Sequence, residues 1–185
     1  MALTKTPVCD FGKKAEDFKL KSIENKIISL NDVKGEKATL IMFICKHCPY
    51  VKAIIRDLAK DCNELKKDGI NSIAIMSNDT KNYPEDSFDN MIKFAKTNNF
   101  GEINYLIDET QEIARKYGAV CTPDFFGYNK ELKLQYRGRF RELKDLKPVS
   151  GGDSDLKIAM KMISETQAGP KEQIPSMGCN IKWFN

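Results

Sequence analysis

The sequence predicts an α/β domain whose mixed central sheet lies between helical layers, and three observations carry this. The stretch "KATLIMFI" (37–44) is continuously apolar after Lys37, as befits a strand buried on both faces. Val51, Ile54, Ile55, Leu58, Ala59, Cys62 and Leu65 then recur at spacings of three and four, which puts them on one face of a helix. After Gly69, a helix stop, "INSIAIMS" (70–77) is a second buried run. Strand, helix and strand at this spacing form a βαβ unit with parallel strands and a right-handed crossover.

The remaining elements follow in order. Near the N-terminus, "DFKL" and "IISL" are spaced to pair across "KSIENK". The polar, turn-rich "NDTKNYPEDS" (78–87) reads as a surface loop. Phe88, Met91, Ile92 and Ala95 mark a helix, and "INYLI" (103–107) a strand. Asp108 with Gln111 resembles a capping box opening a short helix through Tyr117, which Gly118 ends. "DFFGY" and "ELKLQYRGRF" flank Asn129-Lys130 as an antiparallel hairpin. Beyond the linker "KPVSGGDS", Leu156, Ala159, Met160 and Ile163 form a last amphipathic face; Gly169-Pro170 stops that helix and leaves a tail.

Composition limits the function classes. The 30 Lys and Arg and 26 Asp and Glu give a net charge of +4, interspersed along the chain. No basic block stands ready for phosphates, so neither nucleic acid nor a membrane is an expected partner. The start has no apolar run long enough for a signal peptide, and no stretch approaches a membrane span. Six scattered cysteines are too few for a disulfide scaffold. The expected setting is a reducing, cytoplasmic one, where a Cys-x-x-Cys is more often catalytic or metal-binding than structural.

Such a pair lies in "FICKHCPYVKA" (43–53), with the chain's single histidine inside it. The βαβ reading puts Cys45 and Cys48 on the loop leaving the first strand, the edge at which open α/β sheets bind and react. Two thiols one turn apart can close a disulfide, and a helix N-terminus stabilises a thiolate through its free N–H groups and dipole. His47 is placed to tune that thiolate. The same residues admit a second chemistry: Cys45, His47 and Cys48, joined by Cys121 or Cys179, would furnish a zinc shell. No second Cys-x-x-Cys or His-x-His completes the usual spacing, and neither a resident metal nor a cofactor is expected. Cys62, on the apolar helix face, and Cys9 read as small packed hydrophobes. Trp183 and Phe184 read as anchors for the tail.

Four stretches, "GKKAEDFKL" (12–20), "CKHCPYVKA" (45–53), "SNDTKNYPEDS" (77–87) and "YGAVCTPDFF" (117–126), together with the ending "GCNIKW" (178–183), resemble the redoxin (AhpC/TSA) branch of the thioredoxin-like superfamily. The resemblance implies a three-layer thioredoxin-like fold with an N-terminal hairpin and an inserted helix. It implies one domain over residues 1–185, with a redoxin core at about 12–166 and a C-terminal tail at 167–185. It also implies a thiol–disulfide oxidoreductase that works on protein or small-molecule disulfides with a thiol reductant. Cys45 and Cys48 are then catalytic, and Thr122-Pro123 is the fold's cis-proline turn beside them, offering backbone groups to an extended substrate. Cys121 and Cys179 are candidate auxiliary thiols. By analogy with thioredoxin-like exchange, and because a residue leading into a buried helix is less accessible, Cys45 is expected to attack and Cys48 to resolve.

The sequence departs from two relatives of that branch. A thioredoxin has Trp before its first active-site cysteine and Gly-Pro between the two; here Ile44 precedes and Lys46-His47 intervene. A peroxiredoxin carries Pro-x-x-x-Thr/Ser-x-x-Cys, and with Cys48 as the peroxidatic cysteine those positions hold Ile41 and Cys45. The hydroxyl that would help hold a peroxide is missing. Arg137 or Arg139 would have to supply the cation for a peroxidase, the alternative activity. A non-catalytic zinc-binding or interaction protein is the alternative from another class.

Overall fold

The computed structural model describes residues 2–184; Met1 and Asn185, the ends of the expected domain, lie outside them. The main sheet has seven strands in the order β3-β2-β6-β5-β4-β8-β9. These are β2 (Lys19–Ser22), β3 (Ile27–Ser29), β4 (Ala38–Phe43), β5 (Ile70–Met76), β6 (Asn104–Ile107), β8 (Asp124–Asn129) and β9 (Leu134–Tyr136). β4, β5 and β6 run parallel, while β2–β3, β2–β6, β4–β8 and β8–β9 pair antiparallel, so the sheet is mixed as expected.

Period-two alternation along β4 divides the core. Leu40 and Met42 face one side with the apolar stripe of α2 (Pro49–Lys66), with Met91, Phe94 and Ala95 of α3 (Phe88–Thr97), and with α5 (Asp155–Thr166). Ile41 and Phe43 face the other side, with Leu30 and Val33 of α1 (Leu30–Val33) and Ile113, Ala114 and Tyr117 of α4 (Glu112–Tyr117). The result is three layers, with α3 inserted between β5 and β6. Gly127 in β8 lets α5 pack close, because a Cβ there would stand 2.7 Å from Met160 Sδ.

Several local expectations change. Residues 78–87 are no plain surface loop: Asn78, Asp79 and Asp86 are buried, and Pro84–Asp86 forms a 3₁₀ turn. Side-chain hydrogen bonds make this burial tolerable, among them Asn78 Nδ2 to Asp86 Oδ2 at 2.9 Å. In α3 the buried position is Phe94, whereas Ile92 is exposed. Asp108 does cap α4, its Oδ2 accepting from the Ala114 N–H at 2.9 Å, but Gln111 closes no capping box. The Gln111 amide instead donates to the carbonyls of Ser77 and Lys182, each at 2.8 Å. α5 ends before Gly169, with Gln167 in the left-handed conformation as its cap. The segment before it is no bare linker, since β10 (Leu143–Lys144) pairs with β11 (Lys147–Pro148).

A second sheet has no counterpart in the sequence reading. Its order is β1-β12-β7, from β1 (Leu3–Lys5), β12 (Met177–Asn180) and β7 (Cys121–Thr122). The tail thus lies as a central strand between the N-terminus and the segment leading to Pro123, with Leu3 and Thr122 both opposite Cys179. Gly178 makes the approach possible, because a Cβ at that position would meet Thr122 O at 2.0 Å. Further along, the Lys182 N–H donates to Asn78 Oδ1, and the Asp79 N–H donates to Lys182 O. Trp183 lies under the Arg115 guanidinium at 4.3 Å. The Phe184 side chain stays exposed, so only its backbone, donating to Gln111 Oε1, joins the anchor.

Candidate functional site

β4 delivers Phe43 to the edge of the sheet, the chain turns through Ile44–His47, and α2 starts at Pro49. Proline suits the first helical position because its missing N–H would have no partner there. Cys48 is therefore the N-cap residue, nearest the positive end of the helix, and Cys45 precedes it in the turn. The peptide bond Thr122-Pro123 is cis and lies against both cysteines. Cys45 Sγ is 3.3 Å from Thr122 Oγ1, and Cys48 Sγ is 3.0 Å from the Thr122 carbonyl oxygen, to which the thiol donates. Cys45, Cys48, Thr122 and Pro123 are thus brought together from segments some 75 residues apart, about as the sequence placed them.

The two thiols share charge unequally. A hydrogen bond from Cys45 draws the Cys48 thiol down from 9.0 to about 5 against the opposing effect of burial. Thr122 and the backbone N–H groups of Val51 and Cys179 add to this. Cys45 moves the opposite way, well above its ordinary value, through the bond to Cys48, burial and the Asp86 charge. Of the pair, Cys48 is the one whose ionisation is favoured, at the cost of the hydrogen bond that its thiol donates to the Thr122 carbonyl. Access does not favour Cys45 either, since Cys45 is 1% exposed and Cys48 0%. The expected ground for making Cys45 the attacking group is therefore absent: both thiols are buried.

His47 is held by a carboxylate that the sequence reading did not single out. Asp86 Oδ1 accepts the backbone N–H groups of Lys46 (2.9 Å) and His47 (3.1 Å), and Asp86 Oδ2 binds His47 Nδ1. The Tyr83 ring stacks on the imidazole at 5.5 Å. The bond to Asp86 raises the His47 pKa despite burial, and Asp86 is held below its usual value, its bonds to His47 and Asn78 outweighing burial. An imidazolium next to Cys48 supports a thiolate there. Only the likeness of the stretch 77–87 to redoxins hinted at Asp86, because no periodicity links it to Cys45.

Of the auxiliary thiols, Cys179 joins the site and Cys121 does not. Cys179 lies opposite Thr122, whose carbonyl oxygen accepts from Cys48 Sγ, and packs in the same core cluster as Cys45 and Cys48. Cys121 Sγ instead turns to Pro123 O at 3.6 Å, and burial raises its pKa strongly. Cys62 is packed in the core, where burial pushes it up to about 12. Arg137 bridges to Asp124 at 3.0 Å and lies over Phe126, and Arg139 binds Asp155 at 2.6 Å. Both cations are committed to carboxylates. A ring nitrogen of His47, an Asp86 oxygen and Cys45 Sγ lie within 4.8 Å of one another, a set that includes donors suited to zinc. The Asp86 oxygens already accept four hydrogen bonds, however, and the carboxylate is fully buried. Nor does Cys121 add a ligand. Beside Pro123 opens a cleft of about 450 Å³, lined by Tyr50, Ile54, Phe140 and Leu143 and rimmed by Lys5, Arg139 and Arg141. No helix among the described residues is long and apolar enough to cross a membrane.

Comparison with known proteins agrees with this architecture. An uncharacterized conserved protein from Geobacillus kaustophilus superposes with a TM-score of 0.94 at 38% identity, over 100% of this chain and 97% of that one. A hypothetical protein from Sinorhizobium meliloti 1021 gives 0.90 at 35% identity, over 98% of both chains. A thiol:disulfide interchange protein of the thioredoxin family from Chlorobium tepidum TLS gives 0.62 at 19% identity, over 83% of this chain and 97% of that one. That distance establishes the thioredoxin-like fold and nothing finer. No curated protein matches the sequence. The AhpC/TSA family model matches residues 11–139, well over half of the sequence, and the chain belongs to the AhpC/TSA family, the redoxins of the thioredoxin-like superfamily.

Proposed function

We propose that the protein is a thiol–disulfide oxidoreductase in which Cys48 attacks and Cys45 resolves. One observation carries the reading: Cys48 is the N-cap of α2, with Cys45 in the turn before it and the Cys48 Sγ 3.0 Å from the Thr122 carbonyl oxygen at the cis-proline turn. The Cys48 thiolate attacks one sulfur of a substrate disulfide and expels the other as a thiolate. The Cys45 sulfur, after losing its proton, attacks Cys48 Sγ in the mixed disulfide. That expels the second substrate thiolate and closes Cys45–Cys48. A thiol reductant reverses the closure. The apolar cleft beside Pro123, lined by Tyr50, Ile54, Phe140 and Leu143, supports a protein or peptide disulfide as substrate.

The test is reduction of a protein disulfide by the fully reduced enzyme. Cys48→Ser is expected to abolish it, while Cys45→Ser accumulates a mixed disulfide at Cys48 wherever no other thiol resolves it. Stable trapping of substrate on Cys45 in the Cys48→Ser chain reverses the two roles. Peroxide reduction is the second reading, favoured by the family match. Ile41 and Cys45 in the Pro and Thr/Ser positions, and the commitment of Arg137 to Asp124, weigh against it. Stopped-flow detection of fast sulfenic acid formation at Cys48 would promote it.

A further inference from the structure

The strand edge beside a cis-proline is where an extended chain would pair, and here the protein's own β12 occupies it. The register sets Cys179 opposite Thr122 and Asn180 opposite Cys121. Pairing of this kind, one extended segment added to a free strand edge, is how many domains recognise peptides. β12 also bears a cysteine at the position that faces the active thiols. Cys179 is buried, pairs with Leu3 of β1 on one side and Thr122 on the other, and packs in one core cluster with Cys48, whose Sγ lies 3.0 Å from the Thr122 carbonyl oxygen. Cys45 packs in the same cluster, its Sγ 3.3 Å from Thr122 Oγ1. Three cysteines are therefore gathered around Thr122, the grouping that exchange at Cys48 draws on. Gly178 reinforces the point, since the strand that carries Cys179 packs where no side chain fits.

We propose that Cys179 is a third redox-active cysteine, exchanging with Cys48 so that β12 serves as a tethered internal substrate strand. The proposal rests on the reading of Cys45–Cys48 as the redox pair. In the oxidised protein, the Cys179 sulfur attacks Cys48 Sγ; the Cys45–Cys48 bond breaks as the Cys48–Cys179 bond forms. Cys45 leaves as a thiolate and takes up the proton that Cys179 gave up. No electrons are gained or lost, because the disulfide has only moved. The same attack on a mixed disulfide at Cys48 releases the substrate's second thiolate, which makes Cys179 an alternative resolving group. Cys121 is excluded from this exchange because its thiol faces Pro123 O.

The experiment follows the full-length chain with glutathione disulfide as oxidant, quenched in acid, alkylated and mapped by mass spectrometry. In Cys45→Ser, a Cys48–Cys179 cross-link and loss of the glutathione adduct are expected, whereas Cys45→Ser/Cys179→Ser keeps the adduct on Cys48. A persistent adduct in Cys45→Ser, with Cys179 still alkylatable, overturns the proposal. Where circular dichroism shows that the variant has not folded, the wild type decides. Cross-linked Cys48–Cys179 peptide in a glutathione buffer supports the proposal, and Cys45–Cys48 alone at every buffer ratio overturns it. Wild-type protein that forms neither disulfide overturns the redox-pair reading as well, so the two failures are told apart.

Discussion

The seven-stranded sheet and the three-stranded sheet meet at Thr122 and Pro123, and their strands find their neighbours in different ways. In the larger sheet, β2–β3, β4–β5, β5–β6 and β8–β9 join strands next to each other in chain order, and only β2–β6 and β4–β8 are long-range. In the smaller one, residues 177–180 pair with 3–5 and with 121–122, both long-range, with two to four residues per strand. The larger sheet supplies the core, and the smaller one packs Cys179 beside Cys48. The contrast separates stability from access. On the proposed reading of Cys45 and Cys48, release of the short strands exposes Cys48 while the core stays intact.

The largest expected effect concerns the thiols under the two sheets. Cys48, covered by the small sheet, is drawn to about 5, whereas Cys62, packed on the large one, is pushed up to about 12. Alkylation of the reduced protein near neutral pH should therefore label Cys48 orders of magnitude faster than Cys62. The Cys48 rate should lose its pH dependence above about 5, not above the usual 9.0. The linked effect on stability has a definite sign. A folded value below the unfolded one stabilises the reduced protein fully above 9.0, and that contribution is lost as pH falls through about 5. Equal labelling of Cys48 and Cys62 across this range would erase the distinction.

Second comes a cavity in the large sheet. Leu40 is fully buried among the residues beneath α2 and α5, so Leu40→Ala should cost about 2–5 kcal/mol in denaturant unfolding of the reduced protein. Cys48 alkylation in native buffer should change little, because the strands covering it are untouched. A rise in labelling as large as the loss in stability would mean that access requires global unfolding.

This division also governs how far the residues foretold the structure. β4, α2 and β5 were legible because burial on one helical face or both strand faces leaves a period in the sequence. Cys45, Cys48, Thr122 and Pro123 were legible because a short motif and its distance to a Thr-Pro specify a family. The cover was not, since "LTK" and "MGCN" are too short to show a period. Nor did the polar stretch 78–87 advertise its burial. Asp86 is tolerated inside because backbone N–H groups, Asn78 and His47 satisfy it, and none of those partners is visible from composition.

The third prediction acts on the small sheet alone. Gly178→Ala places a Cβ at 2.0 Å from Thr122 O, so β12 must move away from β7. Labelling of Cys48 should rise by about tenfold, which corresponds to roughly 1.4 kcal/mol of local opening, while global unfolding shifts less. Loss of stability on the scale of Leu40→Ala, with no rise in labelling, would show that β12 belongs to the core rather than to a releasable cover.

The smallest effect probes the far end of the same tail. Arg115, on α4, lies over the Trp183 ring at 4.3 Å, and this contact helps to hold the segment that follows β12. Arg115→Gln keeps a polar side chain but removes the charge and the guanidinium plane that lies over the ring. A cation–π contact at an exposed site is worth about 0.5–1 kcal/mol, so the population of the released tail should rise roughly two- to fivefold. Cys48 labelling under conditions where opening limits access should rise by the same factor and remain below that of Gly178→Ala. The ordering tests the mechanism more sharply than either value. If Arg115→Gln exceeds Gly178→Ala, the tail is released from its end inward, and the anchor at Trp183, not the fit of β12 against Thr122, controls access to the thiols.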